Sequence, residues 1–120
     1  MDRVFIENLR VDCVVGLTEE ERRRPQKVIV DVSMYLGLRR AAAGEKIEKT
    51  VNYREARDRI SRFVATGEFV LLEGLAEGIA SLVLDAFEVE RVKVRVRKEK
   101  YSVEPSIGVE IERARGRRPR

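Results

Sequence analysis

The 120 residues predict an α+β fold: a four-stranded antiparallel sheet with two helices on one face. Three observations carry this. Two stretches near the N-terminus and two near the C-terminus alternate apolar and polar residues with a period of two. The segments between them repeat apolar residues at helical spacing. The order is strand, strand, helix, helix, strand, strand, with no internal repeat.

Residues 2–15 read as the first strand, bent near Asn8. Gly16 and the polar run Thr18 to Pro25 supply the turn. In residues 27–38, Val28, Val30, Val32, Met34, Leu36 and Leu38 share one face, while Lys27, Asp31, Ser33 and Tyr35 lie mostly on the other. That is a half-buried strand, and two long strands in succession suggest a hairpin. Ala41 to Lys49 is a polar connection. Asn52 has the character of a helix N-cap, with Glu55 three residues later as a capping-box variant. Tyr53, Ala56, Ile60, Phe63 and Val64 then fall on one helical face, and Thr66 and Gly67 end the helix. A second helix starts near Leu71 and carries Leu72, Leu75, Ala76, Ile79, Leu82, Val83 and Ala86 on its stripe. Val92, Val94 and Val96 alternate with basic residues in a third strand. Ile107, Val109 and Ile111 alternate with Gly108, Glu110 and Glu112 in a fourth.

The composition narrows the chemistry. Histidine is absent, which removes His general bases and His-ligated zinc; the single cysteine, Cys13, supplies neither a disulfide nor a thiolate cage. Any catalysis must come from Lys, Glu, Asp, Tyr or Arg. The net charge of +4 is a property of the C-terminus: residues 113–120 hold five arginines and no acid, leaving 20 basic against 21 acidic residues elsewhere. One domain over residues 1–113 followed by a solvated, disordered basic tail at 114–120 is therefore expected, rather than a basic stripe on a folded face. The N-terminus does not resemble a signal peptide, and no apolar run approaches the roughly 20 residues of a membrane span. The cytoplasm is the expected compartment.

A few residues depart from the bland pattern. Lys98 continues the inward phase of Val92, Val94 and Val96. Either the strand stops at Arg97 and the amine reaches solvent, or an ammonium points toward the covered side, where it must be paired or become a usable base. Glu73 stands in the first turn of the second helix among Leu71, Leu72 and Leu75. It either complements the helix dipole, worth about 0.3–1 kcal/mol, or accepts two parallel hydrogen bonds from an amidine-like edge. Tyr53 reads as core packing at the start of its helix, and Glu21 as part of an exposed charge run. Together they place a base, a carboxylate and a phenol at element ends, where sites usually form.

In order along the chain, Gly16-Leu17-Thr18-Glu19-Glu20-Glu21-Arg22, Pro25-Gln26-Lys27-Val28, Thr50-Val51-Asn52-Tyr53, Leu71-Leu72-Glu73, Val94-Arg95-Val96-Arg97-Lys98 and Gly108-Val109-Glu110-Ile111-Glu112-Arg113 match a known pattern. From Val4 to Arg113 the chain resembles the dihydroneopterin aldolase family. The resemblance implies the tunnelling fold, in which sheets of several subunits close into a barrel, as a tetrameric ring or a stacked octamer, with active sites shared between neighbours. It implies a retro-aldol cleavage of 7,8-dihydroneopterin with no metal and no cofactor, because the N5=C6 imine of the substrate is itself the electron sink, and often C2′ epimerisation as a side activity. Carried onto this chain, Glu73 is similar to the pterin anchor, with the amides near Leu72 helping to hold the ring. Lys98 is similar to the catalytic lysine, Glu21 to the glutamate beside the substrate hydroxyls and Tyr53 to the catalytic tyrosine. Val51 and Asn52 would line the site from a neighbouring subunit.

In one place the chain departs from the family pattern: the proline common after the lysine is Glu99 here. The related dihydroneopterin triphosphate 2′-epimerases also lack it, and Arg97, Lys100 and the tail arginines are cations that a triphosphate would meet. Epimerase is thus the nearest alternative. A non-catalytic RNA-binding module using the Arg tail is the alternative of a different class, and a purely structural oligomer subunit is a third. Zinc-dependent relatives on the same fold are excluded by the missing histidines.

Overall fold

The computed structural model describes residues 1–99 and 105–116. Its strands are β1 (Arg3–Val15), β2 (Gln26–Tyr35), β3 (Glu68–Phe69), β4 (Arg91–Lys98) and β5 (Gly108–Ala114), in the spatial order β3-β1-β2-β4-β5. Alternation decides which face is covered. Val28, Val30, Val32, Met34, Val92, Val94 and Val96 all point to one side and are fully buried. Antiparallel pairing sets Val30 opposite Val96 and Val94 opposite Ile111, which keeps apolar side chains in continuous rows across the sheet. The opposite face is charged: Arg95 stands opposite both Asp31 and Glu110, and Lys93 opposite Glu112. The bend expected near Asn8 is a bulge between Ile6 and Leu9. Asn8 adopts φ 59° there and its N–H donates to the Asp31 carboxylate at 2.7 Å. Asparagine is among the few residues that tolerate this conformation.

Two long helices cover the valine face, α3 (Tyr53–Thr66) against β1 and α4 (Leu72–Ala86) against β4 and β5; the shorter α1 and α2 span Glu19–Arg23 and Arg39–Gly44. Ala56, Ile60 and Val64 of α3 and Leu75, Ala76, Ile79 and Val83 of α4 enter the core. The helices meet where Gly78 accepts the Phe63 ring, into which any Cβ would collide. Asn52 caps α3, accepting from the Glu55 N–H at 3.3 Å. Cys13 is buried, and burial pushes its thiol up to about 11, so it is an inert part of the core.

Several expectations need correction. The sheet is mixed, because β3, a two-residue strand too short to show alternation, runs parallel to Val14 and Val15 of β1. The turn at 18–25 contains α1, and the polar connection contains α2 and a 3₁₀ turn, Ile47–Lys49. β2 stops at Tyr35: the N–H groups of Leu36 and Leu38 bond to the Asp2 carbonyl and carboxylate, both at 3.0 Å, and leave the ladder. Glu55 pairs with Arg59 at 3.4 Å rather than closing a capping box. Tyr53, read as core, is 59% exposed. Among the described residues, no helix is long and apolar enough to cross a membrane.

The folded part also extends past residue 113. Arg113 makes a bidentate pair with Glu77 of α4, at 2.9 and 3.1 Å. Arg115 donates to the carbonyls of Leu84, Phe87 and Val89 at 2.6–3.0 Å, which satisfies acceptors that the C-terminal end of α4 leaves open. Arg113 at the end of the domain and Arg115 of the tail are thus structural; residues 117–120 lie outside the described part. Arg115→Ala is expected to destabilise the fold by about 1.5–3 kcal/mol, the usual value for hydrogen bonds from a charged donor. Urea midpoints at fixed protein concentration measure this, and removing residues 117–120 should leave the midpoint unchanged.

Candidate active site

β3 is short, but its pairing decides where the site lies. Alongside the β1 pairing, the Gly16 N–H donates to the Phe69 carbonyl at 3.0 Å. The segment Val70 to Glu73 is thereby set against Gly16, Leu17 and α1. The ends of β4 and β5 close the third side. The result is a cleft of about 410 Å³ lined by Val15, Gly16 and Leu17, by Glu21 of α1, by Val70 to Glu73, by Lys98, and by Ile107, Gly108 and Val109. That volume suits a small bicyclic ligand with a short side chain, since such pockets run to about 300–1,000 Å³.

Lys98 is the last residue of β4, opposite Val28, and keeps the inward phase of the valines before it. Its side chain is 31% exposed and its Nζ lies 3.2 Å from Glu21 Oε2. This settles the choice posed by periodicity: the strand reaches Lys98, and the amine turns into the cleft and is paired. Glu21 owes its place to Thr18, the N-cap of α1. The Glu21 N–H donates to Thr18 Oγ1 at 3.1 Å, while the Thr18 N–H and hydroxyl donate to Glu21 Oε1 at 3.3 and 3.2 Å. The hydrogen bond from Lys98, followed by those from the Thr18 main chain and hydroxyl, holds the Glu21 carboxyl below the usual carboxylate range, against a smaller opposing desolvation. A carboxyl depressed in this way is ionised above its ordinary range. The pair with Lys98 is intact there and is lost as the pH falls through the lowered value.

The same cleft holds a second, different chemistry. Glu73 stands exposed in the first turn of α4. The α4 N-cap is Leu71, which offers no side-chain cap. The first N–H groups of the helix have no intrahelical partner, and they stand beside a carboxylate. Such an edge both donates and accepts. Leu17, Val70, Leu71 and Ile107 add apolar walls that are 47–69% exposed. Gly108 fits at the floor because a Cβ there would run into the Val96 carbonyl.

Of the residues singled out in the sequence, Lys98, Glu21, Leu72 and Glu73 line this one cleft. Val51, Asn52 and Tyr53 do not; they lie at the N-terminal end of α3. Val51 as a whole residue is 2% exposed and belongs to the core, and the Asn52 side chain is occupied as a cap. Lys100 lies outside the described residues. Sequence reasoning missed Gly16, Thr18 and the apolar walls. The spacing Thr18-x-x-Glu21 is a capping-box signature that marks both α1 and the orientation of Glu21.

The chain has clear relatives. The family model described as dihydroneopterin aldolase matches residues 4–112, a range that includes every candidate residue above. The dihydroneopterin aldolase of Haemophilus influenzae is 31% identical over 94% of this chain and 97% of its own length. The folic acid synthesis protein FOL1 of Dictyostelium discoideum is 33% identical over 94% of this chain, which spans 17% of that longer protein. The crystal structure of Escherichia coli dihydroneopterin aldolase in complex with neopterin superposes with a TM-score of 0.89 at 30% identity, covering 95% of this chain and 100% of that one. With a family match across nearly the whole fold and full-length relatives on both sequence and structure, the chain belongs to the dihydroneopterin aldolase family.

Proposed function

We propose that the chain is a cytoplasmic, metal-independent dihydroneopterin aldolase, which cleaves 7,8-dihydroneopterin into 6-hydroxymethyl-7,8-dihydropterin and glycolaldehyde in folate biosynthesis. The observation that carries this is the presence in one cleft of two chemically distinct groups: Glu73 beside the uncapped start of α4, and the Lys98–Glu21 pair. A pterin presents a 2-amino group and N3–H, two parallel donors suited to the Glu73 carboxylate, next to a 4-oxo acceptor suited to the N–H groups around Leu72. With the ring held there, the trihydroxypropyl side chain reaches toward Lys98. The E. coli relative was crystallised with neopterin, a ligand of the same shape.

Lys98 takes the 2′-hydroxyl proton through a water. The C2′ alkoxide becomes a carbonyl as the C1′–C2′ bond breaks. The pair of the breaking bond forms C6=C1′ while the imine π pair moves to N5, which takes the proton from the Lys98 ammonium through the water. Glycolaldehyde departs, Tyr53 protonates C1′, and the N5 proton passes to the Tyr53 phenolate, which restores both the imine and the phenol. The Glu21 carboxylate stabilises the ammonium that forms on Lys98 and orients the hydroxyls. Tyr53 is absent from the cleft of its own chain, and Leu17, Val70, Leu71 and Ile107 are uncovered there. A neighbouring copy that lays the start of its α3 over these walls supplies Tyr53, with Val51 and Asn52 beside it. The active form is therefore a homo-oligomeric ring, either a tetramer or a stacked octamer.

Glu99 in place of the common proline favours dihydroneopterin triphosphate 2′-epimerase as a second reading. Incubation with dihydroneopterin and with its triphosphate, with chromatography of the products, separates the two. Equimolar glycolaldehyde and hydroxymethyldihydropterin are expected from dihydroneopterin, with a smaller amount of the C2′ epimer and no inhibition by EDTA. Epimer alone, formed from the triphosphate, would replace the aldolase reading.

A further inference from the structure

We infer that Thr18 is a positioning residue for this reaction: it fixes one oxygen of Glu21 so that the other is presented to Lys98. The inference rests on the role proposed above for that pair.

A glutamate on an exposed helix of five residues is free to turn about three torsions. Here it is not free. Its Oε1 accepts from both the N–H and the hydroxyl of Thr18, and the same hydroxyl oxygen accepts from the Glu21 N–H. Only Oε2 remains, and Lys98 Nζ meets it at 3.2 Å. Gly16 completes the clamp, because a Cβ at that position would occupy the space of the Glu21 side chain. In an ordinary capping box the glutamate serves its own helix. No residue of α1 is buried, so this cap contributes little to the core, and its consequence is the aim of a carboxylate. Among the described residues, the charges that share the cleft with Glu21 are Lys98 of β4 and Glu73 of α4. The described residues at the end of β1 and just after it (Val15, Gly16 and Leu17) and at the start of β5 and just before it (Ile107, Gly108 and Val109) carry no charge there. The bonds from Thr18 are among the causes that hold Glu21 below the usual carboxylate range, so their loss must raise it.

Thr18→Val keeps the shape and removes the hydroxyl. Its kcat for dihydroneopterin should fall about tenfold, with KM changed by less than about twofold, because ring capture at Glu73 is untouched. The acid limb of its pH–rate profile should move up toward the ordinary glutamate range, and Thr18→Ser should restore both. Carbon-13 NMR titration of the Glu21 carboxyl, which needs no turnover, should show the same upward shift in Thr18→Val and not in Thr18→Ser. Thr18→Ala gives the same comparison if valine disturbs the turn. An unchanged titration overturns the inference, as does a loss of kcat with an unmoved acid limb, which marks a merely structural role. If the wild-type chain releases no glycolaldehyde, the aldolase reading falls, while the Glu21 titration still decides the role of Thr18.

Discussion

Replacing Lys98 by alanine is expected to lower kcat for dihydroneopterin by about 10²–10⁴-fold, the usual contribution of a positioned acid–base group. Lys98 keeps the phase of Val92, Val94 and Val96, so its side chain turns to the covered side at the point where the covering helices end and the cleft begins. Among the described residues, it meets Glu21 there. Removing the amine takes away the group that receives the hydroxyl proton, and Glu21 relaxes into solvent because its side chain is already 38% exposed. The fold and the size of the oligomer should therefore be unchanged in circular dichroism and sedimentation. Lys98→Arg should not rescue activity: a guanidinium keeps its proton at any accessible pH and cannot act as the base. Full activity in either variant would remove Lys98 from the chemistry.

Glu73→Gln should act on the second group in the cleft and on a different parameter. The amide replaces one acceptor oxygen with an NH₂ group, so a donor faces the donors of the pterin edge. A site built for such hydrogen bonds rejects a mismatched partner by large factors. We expect KM to rise by about 10²–10⁴-fold, with kcat at saturation changed far less. Neopterin binding, followed by its fluorescence, should weaken in parallel. Glu73 is exposed in the first turn of α4, so the loss of stability is limited to its interaction with the helix dipole, about 0.3–1 kcal/mol. The contrast is the test: Lys98 should govern kcat and Glu73 should govern KM. Similar losses in both parameters for both variants would show that the cleft is not divided in this way.

Much of this arrangement was legible in the residues, and the exceptions have physical causes. The valine alternation specified β2 and β4 because burying one face of a strand demands it, and the same phase placed Lys98. The bend at Asn8 was visible because few other residues accept its backbone conformation. β3 escaped notice because two residues cannot establish a period, yet its pairing with β1 brings Glu73 into the cleft that holds Lys98. α1 was hidden inside a run of charges; its five residues bury nothing, and only the spacing of Thr18 and Glu21 marked it. Tyr53 matched the apolar stripe of α3 but sits where that stripe emerges from the core, so it is exposed. The division of labour across the cleft depends on contacts between residues more than fifty positions apart, such as Glu21 and Lys98, and local patterns do not encode those.

A crystal structure with neopterin bound would test the central claim most directly. The expected electron density places the 2-amino and N3–H edge on the Glu73 carboxylate, the 4-oxo group near the Leu72 main chain and the 2′-hydroxyl beside Lys98, with Tyr53 arriving from a second copy. Neopterin bound elsewhere, or reversed so that its hydroxyls meet Glu73, would contradict it.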